Sequence, residues 1–140
     1  MMKKISLLLF SACLILCQQT FAQTDIQIEV FDVAQSKVVK SIPLDEDKKN
    51  EAIRLVRSVE SLFPKINATP RSGIMVKVPF DSTINLNNIL VKDPVKEVIF
   101  IFPNGERPYM LLFNEQKKNP MFYYFKEDAS PFLEQLGVTL

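Results

Sequence analysis

KEVIFIFPNGERPYMLLFNEQKKNPMFYYF, residues 96–125, holds three short runs, VIFIF, YMLLF and MFYYF, that are apolar at nearly every position. A strand with one wet face alternates apolar and polar residues, whereas a strand covered on both faces reads as a continuous apolar run. Asn104-Gly105 between the first two runs is a strong hairpin signal, since both residues tolerate positive φ. Asn114 to Pro120 supplies a looser second turn. The stretch therefore predicts an antiparallel β-meander over 97–103, 107–113 and 121–126, at the centre of a sheet.

The segments around the meander supply the rest of that sheet and a helix to cover it. Asp25 to Val30, DIQIEV, has the period of two of a half-buried strand, and Phe31 and Val33 continue it out of step, as a bulge would. Val38 to Ile42 predicts its hairpin partner. Asp45, Glu46 and Asp47 complement a helix N-terminus, with Asp45 as the cap. Ala52, Leu55, Val56, Val59, Leu62 and Phe63 then form a helical stripe that predicts one long helix, 45–63, stopped by Pro64. Ile74, Val76, Val78 and Phe80 alternate with Met75, Lys77 and Pro79, a strand whose proline marks an edge or an end. Asp81 to Val91 is ambiguous, with Ile84 and Leu86 as a short strand among asparagines. Ser130, Pro131 and Gly137 bracket a short C-terminal helix. The expected fold is α+β: a mostly antiparallel five- to six-stranded sheet with one long helix packed on it and a short C-terminal helix.

The first residues read as an export signal. Lys3 and Lys4 precede the apolar ISLLLFSACLILC, and Thr20-Phe21-Ala22 offers a small-x-small cleavage site. Cleavage after Ala22 removes a signal peptide, 1–22, and leaves a single domain, 23–140, secreted or held in the cell envelope. Two rivals stay open: a lipid-modified cut at Cys13, and retention as an anchor, for which the apolar core is short. Both cysteines, Cys13 and Cys17, fall in the leader, so the mature chain is disulfide-free and rests on its hydrophobic core. The 118 residues left from 140 suffice to bury roughly two-thirds of the unfolded surface. Losing Lys3 and Lys4 takes the formal charge from +1 to −1, and no basic block argues for nucleic acid or an anionic membrane as partner.

Much chemistry is excluded. The chain has no histidine, which removes Ser-His-Asp and Cys-His arrangements and the usual zinc sites. Three glycines, Gly73, Gly105 and Gly137, make no phosphate cradle, and no serine stands in an S-x-x-K motif. What remains is carboxylate chemistry at Asp81, Asp93 and Glu97, which a secreted hydrolase could use if two were held about 5–9 Å apart. Their alternation with Lys92 and Lys96 reads more simply as a solvated loop. Asp45-Glu46-Asp47 lacks the spacing and glycine of a calcium loop. Asn67-Ala68-Thr69 matches a glycosylation pattern, which matters only in a eukaryotic secretory host. No catalytic, cofactor-binding or metal-ligating residue is expected.

Two readings follow for the doubly apolar meander. In one, the long helix covers one face and the terminal helix or the N-terminal hairpin covers the other. In the other, part of the second face is an exposed patch for a partner. Residues 122 and 124 point one way and 123 and 125 the other, so Tyr123 and Tyr124 place a phenol on each face. Phe122, Tyr123, Tyr124 and Phe125, with Tyr109 from the neighbouring run, are the candidate binding surface; the sheet edge near Pro79 is a second. The expected partner is a protein or a peptide-like ligand, or another copy of the chain. A self-assembling structural component is the third possibility beside binding module and hydrolase. FDVAQSKVVKSIPLDED, residues 31–47, and KEVIFIFPNGERPYMLLFNE, residues 96–115, resemble uncharacterised small exported proteins of Gram-positive spore-forming bacteria. That resemblance implies export and a single domain, and no activity, cofactor or site residue.

Overall fold

The computed structural model describes residues 25–64 and 69–140. The leader with Cys13, Cys17 and the Ala22 cleavage site lies outside them, as do Asn67 and Ala68. The elements run β1 (Gln27–Asp32), β2 (Lys37–Pro43), α1 (Glu46–Arg57), β3 (Val59–Leu62), β4 (Gly73–Ile84), β5 (Val95–Pro103), β6 (Tyr109–Asn114), β7 (Met121–Phe125) and α2 (Ser130–Leu136). All seven strands form one sheet in the order β2-β1-β4-β5-β6-β7-β3, and every pairing is antiparallel. The class is α+β as expected, with seven strands in place of five or six.

The extra strand comes out of the expected helix. α1 starts where the sequence places it, with Asp45 Oδ1 accepting the Lys48 N–H at 2.9 Å. It ends at Arg57, six residues before Phe63. Ser58 turns the chain: its hydroxyl donates to Leu55 O at 2.7 Å and accepts the N–H groups of Lys126 and Glu127 at 3.2 Å each. Competition of this kind by a serine side chain ends helices. Val59–Leu62 then pairs with β7, Val59 opposite Phe125 and Leu62 opposite Tyr123. Val59 satisfies the helical stripe and the strand equally well, and the tertiary partner decides.

The meander spans 95–103, 109–114 and 121–125. Its first turn is wider than the two-residue form: the loop runs 104–108, and only Gly105 of the Asn-Gly pair takes positive φ, at 72°. β4 is longer than the alternating 74–80 segment and reaches Ile84 through an irregularity after Pro79. Gly73 opens it at φ 107°, where a Cβ would fall inside the Phe102 carbonyl oxygen and 2.9 Å from Pro103 Cα. The β1–β2 register shifts between Val30 and Phe31, the bulge expected where the alternation breaks.

Both helices lie on one face of the sheet. Ala52, Leu55 and Val56 of α1 and Phe132, Leu133 and Leu136 of α2 share a core with Ile28, Val30, Val76, Val78, Phe80, Val98, Phe100, Phe102, Met110, Leu112, Tyr123 and Phe125. Phe132 meets Phe100 edge-on with centroids 5.5 Å apart. Burying each such side chain is worth about 1.5–3 kcal/mol. α2 is thus not a lid on the second face, and neither is the β1–β2 hairpin, which extends the sheet. The N-cap position of α2 is Ala129, one residue before the serine, and no side chain caps it; Asp128 Oδ1 accepts the Ser130 N–H at 3.0 Å in the turn that leads in. Gly137 ends the helix, and Lys40 Nζ from β2 donates to Leu136 O at 2.7 Å.

Candidate binding face

The second face is built by the other parity of the same strands. Ile99 and Ile101 of β5, Tyr109 and Leu111 of β6, and Phe122 and Tyr124 of β7 alternate with the core residues and point away from both helices. Register carries the row outward: Ile101 faces Met75, Met75 faces Phe31, and Phe31 faces Val38 on the edge strand. One apolar row, Val38–Phe31–Met75–Ile101–Tyr109–Tyr124, therefore crosses the sheet from β2 to β7. A second row, Ile99–Leu111–Phe122, lies beside it and ends in the polar pair Glu29 and Lys77, 3.5 Å apart. Ile101 and Tyr109 are buried, Val38 is 49% exposed, and the others lie between.

Phe63, just past β3, folds onto this face. Its N–H bonds Phe122 O at 3.0 Å, and its ring stacks on Tyr109 at 4.0 Å and meets Tyr124 edge-on at 5.2 Å. Arg107 closes one end, its guanidinium 4.3 Å from the Tyr124 ring centroid, donating to Phe125 O at 3.2 Å and ion-paired with Glu60. Arg107 holds the Glu60 carboxyl below the usual carboxylate range. Burial first, and the nearby Glu106 second, push the Tyr109 hydroxyl up. Glu97, 8% exposed, stands 3.9 Å from Lys117 at the other end. Charges of both signs border the face, and they come in pairs.

Of the five residues picked from sequence, three share this face. Phe122 and Tyr124 are half-buried on it, and Tyr109 lies beneath Phe63. Tyr123 and Phe125 do not belong to a surface: they are 4% and 6% exposed, on the helix side, because their parity matches Phe100 and Leu112. The Tyr123 hydroxyl donates to Leu90 O at 3.2 Å, and burial pushes its pKa up. A phenol does stand on each face, as the alternation implies. Pro79 is on no edge strand, since β4 runs between β1 and β5; it sits past the last β1–β4 pair, Glu29 with Lys77. Phe31, Val38, Phe63, Met75, Ile99 and Leu111 complete the face and were not singled out from sequence.

The acids weighed for hydrolysis each have a partner of their own. Asp81 is paired with Lys49 at 3.0 Å, which holds its carboxyl below the ordinary value. Asp93 accepts from Asn114 Nδ2 at 3.3 Å, on the rim of a cleft of about 260 Å³ floored by Val95, Leu112 and Tyr123. Neither Asp81 nor Glu97 lines that cleft. Asp45 caps α1, as the dipole argument requires. Among the described residues, no group of three or more His, Cys, Asp or Glu could hold a metal ion, and no helix is long and apolar enough to cross a membrane. No family model, no curated protein and no solved structure matches this chain.

Proposed function

We propose that the chain is a small exported, non-enzymatic binding or accessory protein of the cell envelope or extracellular space. It takes a protein surface on the open face of its sheet. One observation carries this reading: an apolar row spans six strands on the face opposite both helices. The largest apolar patch on a monomer's surface is often its functional one. The separate pairing of Asp81, Asp93 and Glu97 supports binding over carboxylate catalysis.

A photoreactive aromatic residue at position 122, compared with one at exposed Glu46 on the helix side, tests the reading in the organism that makes the protein. Adducts to a polypeptide are expected from 122 and not from 46, and Leu111→Lys should abolish them. Equal adduct yields from both positions, or none from 122, would refute it. The exported product should begin at Gln23; an intact N-terminus or a lipid on Cys13 would place the protein at a membrane instead.

A further inference from the structure

We infer that the partner on the open face is a second copy of this chain, docked sheet on sheet; this rests on the function proposed above and names its ligand. Three observations select a copy over other occupants. The face is neutral and two-signed: Glu29 is matched by Lys77, Glu97 by Lys117 and Glu60 by Arg107. It offers no net field to an acidic or a basic partner, and its own copy presents the same balance. A formal charge of +1 on the whole chain, or −1 without the leader lysines, sets up little repulsion between copies. The area suits a weak, transient contact between copies. Six strands about 4.8 Å apart and two side-chain rows make a patch of ~24 by ~14 Å, or ~340 Å² in plan per copy and ~700 Å² in all, with Ile101 and Tyr109 within it already covered. That is below the ~1,200 Å² at which stable interfaces begin.

Face-to-face packing is the geometry that suits it. Two sheets stack about 10 Å apart with interdigitating side chains. Adding a strand at β2 is disfavoured by Lys37, Lys40 and Pro43 along that edge. The interface is isologous, so each substitution is felt twice. An area this small predicts a weak, concentration-dependent dimer.

Sedimentation equilibrium of the chain expressed whole, its N-terminus read by mass spectrometry, decides the matter. From about 5 to 500 μM the expected result is a reversible monomer–dimer equilibrium. Leu111→Lys should weaken it at least a hundredfold, with the urea midpoint little changed. Should Leu111→Lys compromise folding, Val38→Lys, at a position already 49% exposed, reads the same face and should weaken the dimer about tenfold. A monomer throughout, or an oligomer that survives both substitutions, overturns the inference. The position-122 adduct separates the two failures: a monomer that still captures a different polypeptide leaves the binding reading standing, and a monomer that captures nothing ends both.

Discussion

Replacing Phe132 by alanine tests the placement of both helices on one face, on which the open face depends. Phe132 is fully buried, and its ring meets Phe100, which in turn meets Phe125 at 5.9 Å. Truncation forfeits burial worth about 1.5–3 kcal/mol. A void of roughly 100 Å³, at about 24 cal/mol per Å³, adds about 2.4 kcal/mol if nothing relaxes. α2 is only seven residues long and ends near the C-terminus, so it can settle partway into the space. The expected loss is therefore about 3 kcal/mol, the low end for Phe→Ala. With an m-value of about 1.5 kcal/mol/M, the urea midpoint read by circular dichroism should fall by about 2 M. A Phe100→Leu/Phe132→Leu cycle should return a coupling of about 0.5–1.5 kcal/mol. Phe122→Leu, on the opposite face, should add to Phe132→Leu without coupling. A loss under about 1 kcal/mol, with Phe100 and Phe132 additive, would refute the placement.

Two further outcomes follow from particular contacts. Gly73→Ala should cost more than about 3 kcal/mol, because φ is 107° and the new methyl meets the β5 backbone, while Gly105→Ala, in open space at φ 72°, should cost about 1 kcal/mol. Equal midpoints for the two variants would contradict the close approach at Phe102. The pH dependence has two limbs. Asp32, Asp45, Asp81, Asp128 and Glu60 are held below their ordinary values by the Gln35 N–H, the Lys48 ammonium, the Lys49 ammonium, the Ser130 N–H and the Arg107 guanidinium respectively. Depressed carboxylates stabilise the fold above their unfolded pKa near 4, and that contribution drains away as pH falls further. Tyr109 and Tyr123 are raised by burial, so their contribution is complete below about pH 10 and is lost as pH rises beyond it. Urea midpoints should plateau between these limbs; a flat profile from pH 7 down to 2 would contradict the first, and one unchanged above pH 10 the second.

What was legible in the sequence is what local chemistry decides. Asp45 announces the start of α1, the alternation in DIQIEV and GIMVKVPF announces β1 and β4, and the three apolar runs place β5, β6 and β7 to within two residues. The end of α1 was not legible, since Val59 and Leu62 suit helical spacing and strand alike and β7 lies some sixty residues away. Nor could Phe132, Leu133 and Leu136 say which side of the sheet they cover. The candidate face suffered from the same symmetry. When both parities of MFYYF are apolar, Phe122 and Tyr124 cannot be told from Tyr123 and Phe125 until the helices take a side. A signal was nonetheless present further across the sheet. Glu29 and Lys77 mark the wet parity of β1 and β4, and the pairing of Lys77 with Ile99 carries that parity into the meander.

The position of β3 governs the order in which this molecule can be assembled. Among the described strands its sole ladder partner is β7, some sixty residues further along the chain, and β4 must seat between β1 and β5. A chain grown to Leu62 can close only the β1–β2 hairpin and wind α1, whose apolar stripe then has no sheet beneath it. Seating β3 waits for β7, a non-local pairing whose loop must close before its contacts form. Through that interval β3 is an unsatisfied edge, and its four-residue length and central Glu60 limit what it can recruit before β7 arrives.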